Sequence, residues 1–308
     1  MVDTTTRPDV SSIRASLTSV KPTRGMKIFG VVNIILLSLL AVVTLAPFIN
    51  LIALSFSTDG AIRAGQVYFW PVGFNLNTVR AVLNDSMFWT NYRNTVKYTF
   101  LATSFAMIMT TTFAYALSRP RLKGKTFFIG IAVFTMFFGG GLIPNFIIVG
   151  RIMGLRNTIW AIVLPGMLSV FNMLVMKSFF ENFPSELEEA AMIDGLSQYG
   201  VFFRIVLPLS KAILATMTLF YAVGNWNSWF GAFIYLDDQA MMPVTMYLRN
   251  LIVSSQVLPE GATPEDAGNI GRNIGAVAML LTTLPIMAAY PFVQKYFVSG
   301  VMLGSVKG

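Results

Sequence analysis

The sequence predicts an all-α membrane protein in which six helices cross the bilayer. Three observations predict it. Of 308 residues, 55% are hydrophobic and only 12% are charged, with a mean hydropathy of +0.66. Soluble proteins carry roughly 25% charged residues, so about half of the usual charge is missing. Long apolar runs account for the deficit, each near or above the roughly 20 residues that a helix needs to cross the hydrocarbon core. The basic residues, finally, are unevenly shared among the segments between those runs, and that asymmetry orients the chain.

Residues 1–27 are polar, rich in Ser, Thr and Pro, and read as a tail separate from a transmembrane domain over 28–308. The first span covers about 28–56; it is too long for a signal-peptide core and has Pro47 near its outer end. Residues 57–92, with Tyr68, Phe69, Trp70, Phe88 and Trp89, suit an external loop whose aromatic residues lie at the interface. Further spans are expected at about 94–117, 127–149, 157–179, 211–236 and 274–293. The third is broken by Gly139, Gly140, Gly141 and Pro144, and the fourth contains Pro165. Residues 237–273 read as a long polar external loop.

With the N-terminus inside, the cytoplasmic segments hold 14 of the 22 Lys and Arg residues. The short turn at 118–126 supplies Arg119, Arg121, Lys123 and Lys125 and weighs heavily, because the rule is strongest in short loops beside spans. Both ends are therefore expected in the cytoplasm. The net charge of +8 is explained by topology, and no basic stripe interleaved with aromatics points to nucleic acid.

The chain has no cysteine and no histidine. Disulfides, thiol nucleophiles and imidazole ligands or bases are thereby excluded. No phosphate-cradling loop is present either: the glycine run at 139–141 has no Gly-Lys-Ser/Thr after it. No catalytic, cofactor-binding or metal-ligating residue is assigned, and the chain is not expected to be an enzyme.

One soluble-looking segment remains, residues 183–209, placed in the cytoplasm by the topology. Ser185-x-x-Glu188 has the form of a capping box, which predicts a helix from about Glu186 to Asp194. Gly195 stops it, and Ser197 caps a second short helix before Pro208. Leu187, Ala191 and Asp194 share a helical face, Ala190 and Ala191 leave the backbone accessible, and Glu186, Glu188 and Glu189 offer charge to a basic partner. Phe202 and Phe203 on the second helix are placed to clamp the first against the membrane-side helices.

Glu189-Ala190-Ala191, three residues, Gly195, nine residues, then Ile205-x-Leu207-Pro208 resembles the cytoplasmic loop of ABC-importer permease subunits at all seven defined positions. The motif GNWNSWF (Gly224 to Phe230) and the ending SVKG are similar to the smaller permease of maltose-type carbohydrate importers. LIPNFIIV (Leu142 to Val149) is similar to the branch handling oligosaccharides or polysaccharide fragments. The resemblance runs from about residue 28 to the end. It implies the type I ABC importer permease fold in the bacterial cytoplasmic (inner) membrane. It also implies a second homologous permease as heterodimer partner, two ATPase subunits that bind the ATP and Mg, an external solute-binding protein and a carbohydrate substrate. The loop at 183–209 would be the coupling helix, with Glu188, Glu189, Ala190, Ala191, Asp194, Gly195, Ile205, Leu207 and Pro208 as its ATPase-coupling residues.

Three further groups are candidates. Asn225, Trp226, Asn227 and Trp229 lie in the fifth span, where polar groups face a bundle interior or a water-filled path, and a Trp can stack on a sugar while its N–H donates. Helix–helix packing is an equal reading of them. Tyr247, Arg249 and Asn250 are candidates for contact with the binding protein, because the matching family loop reaches that protein's cleft. Gly304, Ser305, Val306 and Lys307 resemble a tail that inserts between the ATPase subunits. The alternatives are a secondary transporter driven by an ion gradient and an ABC permease for a non-sugar solute. The first would place charged residues at mid-depth and repeat the first three spans in the last three, and neither is evident.

Overall fold

The computed structural model describes residues 23–254, 273–289 and 291. Among them every regular element is helical. The first helix, α1 (Arg24–Ser55), is capped by the Thr23 hydroxyl and contains Pro47. It is apolar on all sides, and its most apolar window buries none of its residues within the chain. A helix that is hydrophobic all round belongs in lipid or against another protein.

Two short helices, α2 (Asp59–Arg63) and α3 (Asn77–Asn84), lead into α4 (Ser86–Ser118), the organising helix. Asp85 caps α4 through the Met87 N–H. Its inner side carries Thr95, Ala102, Ala106, Thr110 and Ala114, small residues at helical spacing that let two helices approach closely. Those partners are α8 (Val170–Glu181) and α12 (Lys211–Asn227), which pack along α4. Tyr221 of α12 pins the junction: its hydroxyl lies 2.6 Å from Thr110 Oγ1 and accepts from the Ser169 N–H at 3.0 Å.

The intervening chain is more broken than the apolar runs predict. α5 (Lys125–Phe137) ends before the glycine run, Gly141 takes φ +84, and α6 (Leu142–Phe146) continues through a π-helical turn (Ile147–Ile152). The two halves meet at 109°. Where one span is expected over 157–179, α7 (Trp160–Val163) stops at Leu164–Pro165 and α8 begins only at Val170, because proline cannot continue the ladder and restrains the residue before it. Among the described residues two helices, α1 and α4, are long and apolar enough to cross a membrane singly, and two bent pairs pass the same test together.

The segment expected to be external also differs from expectation. After α12 comes the short α13 (Phe230–Tyr235), and within the supposed polar loop lies α14 (Val244–Ser254), whose Val244 packs with Val82, Phe88 and Val277. Its segment, VTMYLRNLIVS, is apolar, but it adjoins the acidic and proline-rich stretch at 255–272, and the two average to a polar loop. The helix Asn273–Ala289, α15, completes the described fold.

Candidate functional site

The stretch 183–209 folds as α9 (Ser185–Ile193), α10 (Gln198–Val201), a π-helical turn (Phe202–Val206) and α11 (Leu207–Leu209). Its C-terminal signal is as expected. Gly195 takes φ +87, its N–H reaches the Met192 carbonyl and the Leu196 N–H reaches the Ala191 carbonyl, each at 3.0 Å. That pair of bonds is the Schellman arrangement, and it needs a left-handed residue at Gly195. Ser197 caps α10 by accepting from the Gly200 N–H at 3.2 Å.

The start of α9 corrects the sequence reading. No capping box forms: the residue before the helix is Pro184, no side chain caps it, and Ser185 is already helical. The Glu188 carboxylate turns inward to Arg119, the residue that follows α4. Glu188 therefore does not offer its charge outward, as Glu186 and Glu189 do. Ala191 also departs from its expected place beside Leu187 and Asp194. It is 6% exposed and packs with Val201, Phe202 and Val206, which draws that edge of the helix into the core. The outward face is formed by Glu186, Leu187, Glu189, Ala190, Ile193 and Asp194.

The two phenylalanines also separate. Phe202 is buried with its ring centroid 4.5 Å from that of Tyr115 on α4, while Phe203 is exposed. Ile205 and Leu207 pack partly against the same core, and Pro208 is exposed in α11. That core also takes in Ala114 and Leu117 of α4, Met173, Met176 and Phe180 of α8, and Met217 of α12. The segment is thus seated on three membrane-side helices, with an acidic and apolar face left outward. Beside it, Glu181 accepts from Lys125 at 2.7 Å and Lys177 at 2.8 Å.

The proposed pathway residues are less free than the sequence suggests. Asn225 donates to Thr103 Oγ1 at 3.2 Å, and Asn227 donates to the Val223 carbonyl of its own helix at 2.9 Å. Trp226 is 8% exposed, donates its indole N–H to the Thr282 carbonyl and packs edge-on against Tyr92. Its N–H is therefore committed to α15, so the donor expected for a sugar hydroxyl is taken. Trp226 still borders a cavity of about 490 Å³ between α4 and α12, lined also by Phe100, Thr103, Met107 and Thr218. Trp229 is half exposed, and the Arg249 guanidinium lies 5.4 Å from its ring and 4.4 Å from that of Phe233.

Of the external candidates, Tyr247 donates its hydroxyl to Asp85 at 2.6 Å, and Asn250 is exposed beside a cavity of about 260 Å³. Gly304, Ser305, Val306 and Lys307 lie outside the described residues. Among the described residues no cluster of carboxylates is placed to hold a metal.

Sequence reasoning missed three sets of residues. Arg119 counted only as a topological charge. Asn94 and Tyr98 of α4 hold the segment before α14, Asn94 by donating to the Ala240 and Met242 carbonyls at 2.7 and 3.1 Å and Tyr98 to the Met241 carbonyl at 2.6 Å. Their spacing with Asn91 and Thr95 on one helical face was the available signal. Arg156 pairs with both Asp237 oxygens, and Asn157, at φ +56, accepts from the Asp237 and Asp238 N–H groups.

Comparison with known proteins agrees with the motif. Residues 86–302 match the model of the family described as binding-protein-dependent transport system inner membrane component. Protein LplC of Bacillus subtilis (strain 168) is 38% identical, over 96% of this chain and 100% of its own length. The polygalacturonan/rhamnogalacturonan transport system permease protein YtcP of the same organism is 37% identical over 88% of this chain and 96% of its own. Among solved structures, a bacterial ABC transporter involved in the import of the acidic polysaccharide alginate contains a chain that superposes with a TM-score of 0.81. It is 34% identical, over 91% of this chain and 100% of that one.

Proposed function

Because the chain belongs to the family of binding-protein-dependent transport system inner membrane components, we propose that it is a permease subunit of an ATP-driven importer for an oligosaccharide. One observation carries this reading. The segment 183–209 presents Glu186, Leu187, Glu189, Ala190, Ile193 and Asp194 outward, while Ala191, Val201, Phe202 and Val206 are sunk into the core shared by α4, α8 and α12. A partner ATPase that binds ATP and Mg docks on the outward face, and its movement enters the membrane helices through the inner one. A second permease completes the pathway, and an external solute-binding protein delivers the solute. The six-span topology with both ends in the cytoplasm puts the loop on the side where ATP is. The names support a carbohydrate: one relative is named for polygalacturonan/rhamnogalacturonan transport, and the similar solved structure for import of the acidic polysaccharide alginate.

The test is reconstitution of the chain with its partner permease, ATPase and binding protein in proteoliposomes. Uptake of an oligosaccharide should need ATP inside and binding protein outside, and Glu189→Lys should abolish it. Uptake that proceeds without ATP and collapses with an ionophore would establish the secondary-transporter alternative instead.

A further inference from the structure

We infer that Arg119 and Glu188 are positioning residues that lock the coupling helix to the ends of α4 and α8, so that the three move as one body. This rests on the permease reading given above. Arg119 follows the last residue of α4 in extended conformation, which turns its side chain back beneath the bundle. Its guanidinium donates in three directions: to Glu188 of α9, to the Phe180 carbonyl near the end of α8 at 2.8 Å, and to Ser118 Oγ of α4 at 2.9 Å. Its carbon centre lies 4.5 Å from the centroid of the Tyr115 ring. The same ring packs edge-on against Phe180 and, tilted by 34°, against Phe202. Polar and apolar ties thus converge on one point.

The chemistry needs arginine. A lysine ammonium could answer the Glu188 charge, but it lacks the planar fork that serves separated acceptors at fixed angles. Glu188 depends on the pair in turn. It is 8% exposed, and its Oε1 has no hydrogen-bond partner among the described residues. A buried charge that loses its counter-ion is strongly unfavourable, so α9 is held in one register against α4. Force on the outward face of α9 then reaches α4 and α8 together, without slip at the junction.

The assembled transporter offers a direct test, and a chain with no native cysteine accepts labels cleanly. Spin labels at Ser185→Cys on α9 and Thr112→Cys on α4 report the separation of the two helices. The distance should be the same in nucleotide-free and ATP-trapped complexes, and its distribution should broaden with Arg119→Lys or Glu188→Gln. Of the two substitutions, Arg119→Lys should leave basal ATP hydrolysis and copurification of the ATPase intact. Both should lower solute uptake per ATP by at least about fivefold, the low end of the range for coupling between sites. An unchanged uptake-to-hydrolysis ratio in both variants, or a distance that shifts between states in the unsubstituted protein, would overturn the inference. If Arg119→Lys fails to assemble, the near-isosteric Glu188→Gln should still broaden the distance distribution and lower the uptake-to-hydrolysis ratio by the same factor. An unsubstituted complex whose hydrolysis ignores solute would count against the permease reading, while the label distances would still report on the tie.

Discussion

Trp226 donates its indole N–H to the Thr282 carbonyl across 3.1 Å, joining α12 to α15 at a point buried from solvent. The bond changes what this tryptophan is for. A residue whose polar edge is already satisfied acts as a strut, with only part of its ring bordering the cavity beside α4.

Trp226→Phe should therefore keep most of the ring packing and lose one hydrogen bond between α12 and α15. A loss of about 0.5–1.5 kcal/mol is expected from removing one such bond. Thermal unfolding in detergent checks it. Preference among oligosaccharides should stay the same in uptake competition, whereas a sugar-binding role would shift it.

Gly195→Ala tests the turn after α9. A methyl group there meets no atom within 4 Å, so its cost is the left-handed backbone alone. That is about 1–2 kcal/mol for a residue with a Cβ. The complex should still assemble, with coupling reduced to the extent that the strained turn relaxes out of that region and re-aims α10. Uptake measured per ATP hydrolysed checks this against copurification of the ATPase.

Glu181 gives a pH prediction. Hydrogen bonds from Lys125 first, and from Lys177, hold its carboxyl below the ordinary value of 4.5. A depressed folded value means that the stabilisation is fully present above 4.5 and is lost as pH falls through the lower, folded value. Melting temperature should therefore drop as pH falls from 4.5 through that lower value, and Glu181→Gln should flatten the drop while lowering stability at neutral pH. Melting curves of both proteins at several pH values decide it.

Asn94→Ala should loosen the segment before α14, since the Ala240 and Met242 carbonyls lose their donor. Hydrogen exchange at residues 239–246 should accelerate several-fold, in line with about 1–2 kcal/mol of local stability. Exchange in α8 should stay the same.

The membrane class, the break at Gly139–Gly141, the Gly195 turn and the Ser197 cap were all legible in the sequence. Each depends on residues near in the chain: mean polarity over a span, a backbone angle only glycine takes easily, a hydroxyl within reach of its own N–H groups. The capping box at Ser185 failed for the complementary reason. Its spacing is local, but Glu188 found a stronger, charged donor 69 residues upstream. Ala191 turned inward, Trp226 spent its donor on α15, and α14 packed beside Phe88, each through a neighbour distant in sequence. The residues by themselves determined that this chain lives in a bilayer and carries a Glu-Ala-Ala loop with a glycine turn. Only the tertiary structure decided which side of that loop faces outward, and which arginine holds it, because burial and ion pairing belong to pairs of elements and local patterns describe only one.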